Sequence, residues 1–117
     1  GGASAVWMPT EGRAGAGPAD FFALVEAREQ AELAQGLPPD TARALAAQTC
    51  LGAGRMLAES HGSGTVLRQR VTSPGGTTQA ALDSFAADGL PSMVSRAMQA
   101  ATERSRQLAL QLEEPTP

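Results

Sequence analysis

Apolar residues recur at helical spacing along most of this chain, and glycine or proline interrupts the pattern at intervals. Glycine just after a periodic stretch is a typical helix stop, because it adopts the left-handed backbone conformation that ends many helices. The pattern predicts five helices: Pro18 to Gln35, Pro38 to about Ser60, Thr65 to Arg70, about Gly76 to Ala87, and a restart at residues 90–92 that continues to about Glu113. The fold class is therefore expected to be all-α.

Two apolar stripes follow the second predicted helix. One contains Ala42, Ala46, Cys50, Ala53 and Leu57, and the other contains Leu45, Thr49, Gly52 and Met56. Two stripes on one helix indicate burial on most of its sides. Gly52 and Gly54 each cost about 1 kcal/mol relative to alanine inside a helix, which is tolerable where another helix crosses closely. These features predict a helical bundle that forms a homodimer.

The composition supports this prediction. The chain has 117 residues, of which 42% are hydrophobic but only 3% aromatic, and alanine dominates the apolar set. Strands prefer β-branched and aromatic residues, so helices are favoured. Few large side chains leave a thin core in a monomer, and a second copy would bury more surface. The length fits one domain, which is expected at residues 18–113. A linker or disordered N-terminal segment is expected at residues 1–17, and Trp7 within it is expected to dock on the fold. Residues 114–117 are expected to form a tail.

The charge pattern excludes several classes of partner. The net charge is -3, the charged residues are scattered, and no lysine occurs, so no nucleic-acid surface is expected. The longest apolar runs are far too short to span a membrane, and the N-terminus is expected to carry no signal peptide. The single cysteine, Cys50, is expected to be a small buried residue and fits a reduced, cytoplasmic setting.

Few residues are available for metal or nucleophilic chemistry. Cys50 and His61 are the only cysteine and histidine, which excludes a structural zinc site and a nucleophile–histidine pair with a second histidine. The segment Gly15-Ala16-Gly17-Pro18 is too short for a dinucleotide-binding fingerprint, and no predicted strand precedes it. No metal and no cofactor site are therefore expected in this chain alone, and the sequence leaves the catalytic residues unknown.

The segment Val71–Thr78, here called the carboxylate loop, is the one stretch rich in hydroxyls, glycines and spare backbone N–H groups. Pro74 fixes its own φ angle, and the two glycines after it permit angles that other residues adopt only at a cost. A helical pattern opens at Thr77 and Thr78, where the first N–H groups lack internal partners and the helix dipole is positive. Such a turn is suited to hold a carboxylate or phosphate, although an ordinary capped helix after a loop is the commoner origin of this pattern.

Arg68 and Arg70 stand just before the carboxylate loop. Both side chains are expected to add positive potential near an anion bound there.

The carboxylate loop and the Gln79-Ala80-Ala81-Leu82 segment after it resemble the signature of pyrroline-5-carboxylate reductases. The resemblance covers most of the chain and includes Gly36-Leu37-Pro38, Ala46-Ala47-Gln48-Thr49, Leu51-Gly52-Ala53, Met56-Leu57 and Glu103-Arg104-Ser105. It implies the C-terminal helical domain of that family, a fold of the 6-phosphogluconate dehydrogenase C-terminal-like type that builds an interlocked homodimer or a larger ring of dimers. The family's Rossmann domain, which binds NADPH or NADH, is expected to be absent from this chain.

The resemblance also implies a function and a set of binding residues. Members of the family reduce 1-pyrroline-5-carboxylate to L-proline with NAD(P)H, the last step of proline biosynthesis. Carried over by position, Ser73 and Thr78 would offer hydroxyls, Gly75 would form the bend, and the N–H groups of Gly76, Thr77 and Thr78 would bind the substrate carboxylate. The alternative is a stand-alone helical dimer or interaction module that derives from the family and has no catalytic activity.

Several positions depart from the family pattern. Alanines stand at 14 and 16 where serines are usual, and Asp20 stands where an aromatic residue commonly follows the proline. Gln69 replaces an acidic residue before the carboxylate loop, and the turn at His61 lacks the usual acid-His-Pro sequence. These departures leave open a different cyclic imine acid as substrate, a relaxed substrate choice, or an inactive relative.

Overall fold

A computed structural model describes residues 17–113 as five helices: α1 (Pro18–Ala34), α2 (Pro39–Glu59), α3 (Gly64–Arg70), α4 (Thr77–Ala87) and α5 (Leu90–Glu113). No strand occurs within these residues, so the all-α prediction is confirmed for them. The observed ends lie within one or two residues of the predicted ones. Residues 1–16 of the predicted linker, with Trp7, Ala14 and Ala16, and the predicted tail at 114–117 lie outside the described residues.

The predicted glycine stop after α1 is confirmed, and its geometry is a Schellman motif. Gly36 has a φ of +99°, and its N–H donates to the Leu33 carbonyl at 3.0 Å. The N–H of Leu37 reaches back to the Glu32 carbonyl at 3.1 Å. These two bonds satisfy carbonyls that the helix end would otherwise leave without partners.

The start of α2 differs by one residue from the prediction. Pro38 has an extended backbone, with φ -61° and ψ 146°, and precedes the helix, while Pro39 occupies its first position. Proline is favoured at that position because the missing N–H would have no partner there. The short α3 then begins after Ser63, whose hydroxyl accepts a hydrogen bond from the Val66 N–H at 3.2 Å. This hydrogen bond satisfies one of the N–H groups in the first turn of α3.

The residues form two compact units, which are described separately. One unit comprises residues 21–85, and the other comprises residues 1–20 with 86–117, of which 17–20 and 86–113 are described. Within the first unit α2 and α3 pack directly on each other. The buried apolar side chains of residues 17–113 are Ala42, Ala46 and Leu67, so the core of a single chain is as thin as the composition predicted.

One prediction about burial is wrong for a single chain, because Cys50 was expected to be buried but is exposed. On α3, Leu67 is buried, whereas the adjacent Val66 is 38% exposed. Adjacent residues of a helix point about 100° apart, so α3 can bury Leu67 in its contact with α2 without burying Val66. Cys50 belongs to a stripe of which a single chain buries only the first two members.

Many large apolar side chains remain exposed in the described part of a single chain. They are Phe21, Phe22, Leu24, Leu33, Leu45, Leu51, Met56, Leu57, Val66, Val71, Phe85, Met93, Val94, Leu108, Leu110 and Leu112. A Cβ built at Gly52 or Gly54 would meet no atom within 4 Å. The glycines of α2 therefore do not serve a close helix crossing within residues 17–113 of one chain.

Among residues 17–113, no helix combines the length and apolarity needed to cross a membrane.

Candidate functional site

The carboxylate loop contains a tight turn formed by Ser73, Pro74, Gly75 and Gly76. The N–H of Gly76 donates to the Ser73 carbonyl at 3.1 Å, and Gly75 has a φ of +72°. Proline at the second position and a positive φ at the third are the features of a type II β-turn. The Pro-Gly-Gly sequence therefore bends the chain just before α4 begins.

Gly76 caps the start of α4. Its carbonyl accepts the first helical hydrogen bond, from the Ala80 N–H at 3.1 Å. A serine, threonine or aspartate at this position would use its side chain to occupy an N–H of the first turn, but glycine has no side chain to do so. Across residues 17–113, neither the Thr77 N–H nor the Thr78 N–H donates a hydrogen bond. Two N–H donors therefore remain available at the positive end of the helix dipole.

One predicted donor of the loop is already engaged. The sequence predicted that the N–H groups of Gly76, Thr77 and Thr78 would all bind the carboxylate. The N–H of Gly76 instead closes the β-turn through the Ser73 carbonyl. Only the other two N–H groups of that set are open to a ligand in this conformation.

A cavity of about 310 Å³, here called the main cavity, lies beside the carboxylate loop and within residues 53–82. Its wall combines α2, α3, the start of the loop and α4, and most of its side chains are apolar. The lining residues are Ala53, Met56, Leu57, Gly64, Leu67, Arg68, Val71, Thr72, Thr78 and Leu82. This volume is at the lower end of the range for small-molecule sites, about 300–1,000 Å³. An apolar wall with a few donors at one side suits a small acid with a hydrocarbon body.

A second cavity of about 140 Å³, here called the polar pocket, adjoins the main cavity. Arg68, Gln69, Thr72, Gln79 and Leu82 line it. Arg68, Thr72 and Leu82 belong to both linings, so these residues form the shared wall. The departure at Gln69 therefore lies next to the predicted site, where an amide replaces a charged group.

The predicted binding residues take different positions around this site. Thr78 lines the main cavity, whereas Ser73, Gly75 and Thr77 are exposed on the loop and line neither cavity. Gly76 is half-buried, and a Cβ on it would lie 3.4 Å from the Ser73 carbonyl oxygen. Of the predicted binding residues, Thr78 therefore lines the main cavity, and the others lie on the β-turn and at the first residue of α4.

The sequence did not single out most of the cavity wall. Thr72 and Leu82 were not proposed as site residues, and the end of α2 was assigned to the core. Thr72 is held in place because its hydroxyl donates to the Arg68 carbonyl. A usable signal was present, since Val71 is the first residue of the loop and Leu67 and Leu82 are the nearest large apolar residues before and after it.

The described residues contain no cluster of three or more His, Cys, Asp or Glu side chains that could bind a metal ion. His61 is exposed in the turn before α3, away from the lining of either cavity. The polar groups of the site are N–H groups, hydroxyls, the amides of Gln69 and Gln79 and one guanidinium, without a carboxylate, which favours an anion.

Comparison with known proteins assigns the chain to a family. A family profile described as "Pyrroline-5-carboxylate reductase dimerisation" matches residues 10–108. The pyrroline-5-carboxylate reductase of Pseudomonas aeruginosa is 44% identical over 115 residues, which cover 92% of this chain and 42% of that enzyme. The chain therefore spans about two fifths of the length of this relative.

Two solved structures resemble the chain. A pyrroline-5-carboxylate reductase from Coxiella burnetii matches with a TM-score of 0.78 and 38% identity, over 88% of this chain and 41% of that one. The Plasmodium falciparum pyrroline carboxylate reductase, solved with NADP bound, matches with a TM-score of 0.74 and 30% identity, over 78% of this chain and 35% of that one. The fold, the carboxylate loop and these matches agree, and the chain belongs to the pyrroline-5-carboxylate reductase dimerisation family.

Proposed function

We propose that this chain is the dimerisation and substrate-binding part of an enzyme that reduces 1-pyrroline-5-carboxylate to L-proline with NAD(P)H. The observation that carries the proposal is the start of α4. A glycine cap there leaves the Thr77 and Thr78 N–H groups open, next to a largely apolar cavity. Names of the relatives support the choice of reaction.

The substrate carboxylate would accept hydrogen bonds from the Thr77 and Thr78 N–H groups. Hydrogen bonds to a charged group contribute about 1.5–3 kcal/mol each, and the helix dipole adds about 0.3–1 kcal/mol at an exposed helix start. The hydroxyls of Ser73 and Thr78 would supply further donors. The five-membered ring would lie against the apolar wall, to which the loop contributes Val71 and α4 contributes Leu82. This arrangement fixes the orientation of the ring through its acid group.

The described residues do not fit a dinucleotide-binding site. Within residues 17–113 there is no strand that could precede a glycine-rich phosphate loop. In the proposed enzyme NAD(P)H would supply the hydride and would be bound by residues other than these. The contribution of this chain would be to bind and orient the imine acid, which removes much of the entropic cost of bringing the two reactants together.

Self-association is the second part of the proposal. A single chain leaves sixteen large apolar side chains exposed in its described part, and it buries only three apolar residues. We expect a homodimer in which these faces cover each other, because burial of apolar surface contributes about 25 cal/mol per Å². The interlocked form and a larger ring of dimers are two versions of this assembly. Analytical ultracentrifugation of the chain distinguishes a monomer, a dimer and a ring, and a monomer at micromolar concentration would contradict the proposal.

The carboxylate site is tested by titrating the ¹⁵N-labelled chain with L-proline, the proposed product. Chemical-shift changes are expected at residues 73–78 and at Arg68. L-Prolinamide is the matched control, since it keeps the ring and the amine but lacks the carboxylate. Equal shifts with the amide would exclude recognition of the acid. Silence at the carboxylate loop would favour the alternative of an interaction module without a ligand.

An NADPH oxidation assay tests the proposal that this chain binds the substrate while other residues bind the cofactor. The chain alone is expected to form its dimer and yet to leave NADPH unoxidised in the presence of 1-pyrroline-5-carboxylate. Measurable turnover by this chain would contradict the proposal that cofactor binding needs other residues.

A further inference from the structure

The two arginines before the carboxylate loop take different positions, which the sequence did not predict. Arg68 lines both the main cavity and the polar pocket, whereas Arg70 lines neither. Residues two apart on a helix are rotated by about 200° from each other, so their side chains leave the helix in nearly opposite directions. The positive potential expected from both arginines is therefore directed into the site by one of them.

The charge of Arg68 has no partner in the described part of the chain. The ion pairs there join Arg55 to Glu59 and Arg106 to Glu103. No acidic side chain of residues 17–113 lines either cavity, and the nearby Asp83 accepts a hydrogen bond from the Gln79 amide at 2.8 Å. A guanidinium is always charged and offers five donors and no acceptor. A cavity wall with a free guanidinium and no carboxylate is suited to an oxyanion.

The backbone of Arg68 is held independently of its side chain. Its carbonyl accepts the hydrogen bond from the Thr72 hydroxyl, which ties the end of α3 to the start of the carboxylate loop. Replacing the guanidinium leaves this bond in place. The charge can therefore be removed without removing the contact that positions the loop.

We propose that Arg68 is the cationic residue of the carboxylate site and pairs with the acid group that the Thr77 and Thr78 N–H groups bind. Arg68 and Thr78 line the same cavity, so both can contact a ligand held there. The inference rests on the proposed function for the identity of the ligand and adds to it the residue that supplies the charge. The ligand class follows from this: a small acid whose carboxylate is recognised by backbone N–H groups on one side and a guanidinium on the other.

The test compares Arg68→Gln with Arg70→Gln, which remove the same charge from two positions of one helix. Both variants are titrated with L-proline, and the ¹⁵N shifts of Thr77 and Thr78 are followed. An exposed ion pair changes affinity up to about fivefold, and a charge-assisted hydrogen bond changes it about tenfold or more. We expect Arg68→Gln to weaken binding about five- to tenfold and Arg70→Gln to change it by less than about twofold. Affinity for the Arg68→Gln variant is also expected to depend less on salt.

The outcomes separate this inference from the proposed function. Absence of proline binding by the unmodified chain contradicts the proposed function itself. Normal binding by that chain with equal effects of the two variants, or with none, overturns the role of Arg68. Circular dichroism checks that both variants stay folded. If Arg68→Gln unfolds, Arg68→Met keeps the apolar stem and removes the same charge, and unchanged affinity in that variant overturns the inference as well.

Discussion

Gly75 gives the most direct test of the loop geometry, because its backbone lies where an ordinary residue is strained. Its φ is +72°, and a Cβ built on it would meet no atom within 4 Å. The cost of Gly75→Ala is therefore conformational rather than steric. The left-handed conformation costs an L-residue about 1–2 kcal/mol, and the smaller freedom of alanine in the unfolded chain offsets about 0.4–1 kcal/mol of this. We expect a net loss of about 1 kcal/mol in the free energy of unfolding.

Gly89→Ala is the matched control for this change. Gly89 has a φ of +78°, also has no atom within 4 Å of a built Cβ, and lies between α4 and α5 rather than in the carboxylate loop. A loss of 1 kcal/mol lowers the unfolding midpoint of a chain of this size by about 4 °C. Both variants are expected to show this shift. Only Gly75→Ala is expected to weaken proline binding, because only that change disturbs the turn that presents Thr77 and Thr78.

The assay combines thermal unfolding, followed by circular dichroism, with the proline titration. Gly75→Asn is included because asparagine tolerates positive φ better than alanine, so this variant should lie between alanine and the unmodified chain. The reasoning fails if Gly75→Ala is as stable as the unmodified chain and binds proline equally well. It also fails if Gly89→Ala weakens proline binding as much as Gly75→Ala does.

Three further predictions concern the helices. Gly52→Leu should weaken the dimer at least about fivefold, as over-packing costs about 1–3 kcal/mol, whereas an unchanged dimer with a higher unfolding midpoint would show that no helix crosses there. Ser63→Ala should cost about 1 kcal/mol by removing the Val66 cap, and Ser63→Asp should retain stability; equal midpoints for the two would contradict the cap. The hydrogen bond from Arg106 lowers the pKa of Glu103. The ionised Glu103 side chain therefore stabilises the folded chain at neutral pH, and this contribution to the free energy of unfolding is lost as pH falls through the lowered pKa. The difference in urea midpoint between the unmodified chain and Glu103→Gln should therefore shrink in acid, and a constant difference would contradict the linkage.

The sequence predicted the helices well because their ends depend on local chemistry. Gly36 and Gly89 end helices with positive φ angles, which glycine adopts without strain. The bend of the carboxylate loop was predictable from residue type as well, since Pro74 fixes its own φ and Gly75 adopts a positive φ without strain. Local residue types thus determine most of the fold described here.

The parts that sequence reasoning missed depend on direction rather than on residue type. The N–H of Gly76 is used within the turn, which no composition rule shows. Arg68 and Arg70 are alike in sequence, and the rotation of α3 gives them different surroundings. Cys50 was expected to be buried because the stripe was read as one surface, while a single chain covers only part of it. Periodicity indicates which residues share a face but not whether a partner covers that face.

The glycine at the start of α4 links the stability of the helix to the binding site. At a cap position glycine is only a few tenths of a kcal/mol less favourable than serine or aspartate, so the helix loses little by lacking a capping side chain. A capping side chain would occupy a first-turn N–H group that a bound carboxylate needs, and each such bond contributes about 1.5–3 kcal/mol to a charged ligand. The gain in binding free energy therefore exceeds the loss in folding free energy by several-fold. For a helix that begins beside the proposed acid-binding cavity, this inequality is a physical reason to favour Gly76 over a better capping residue.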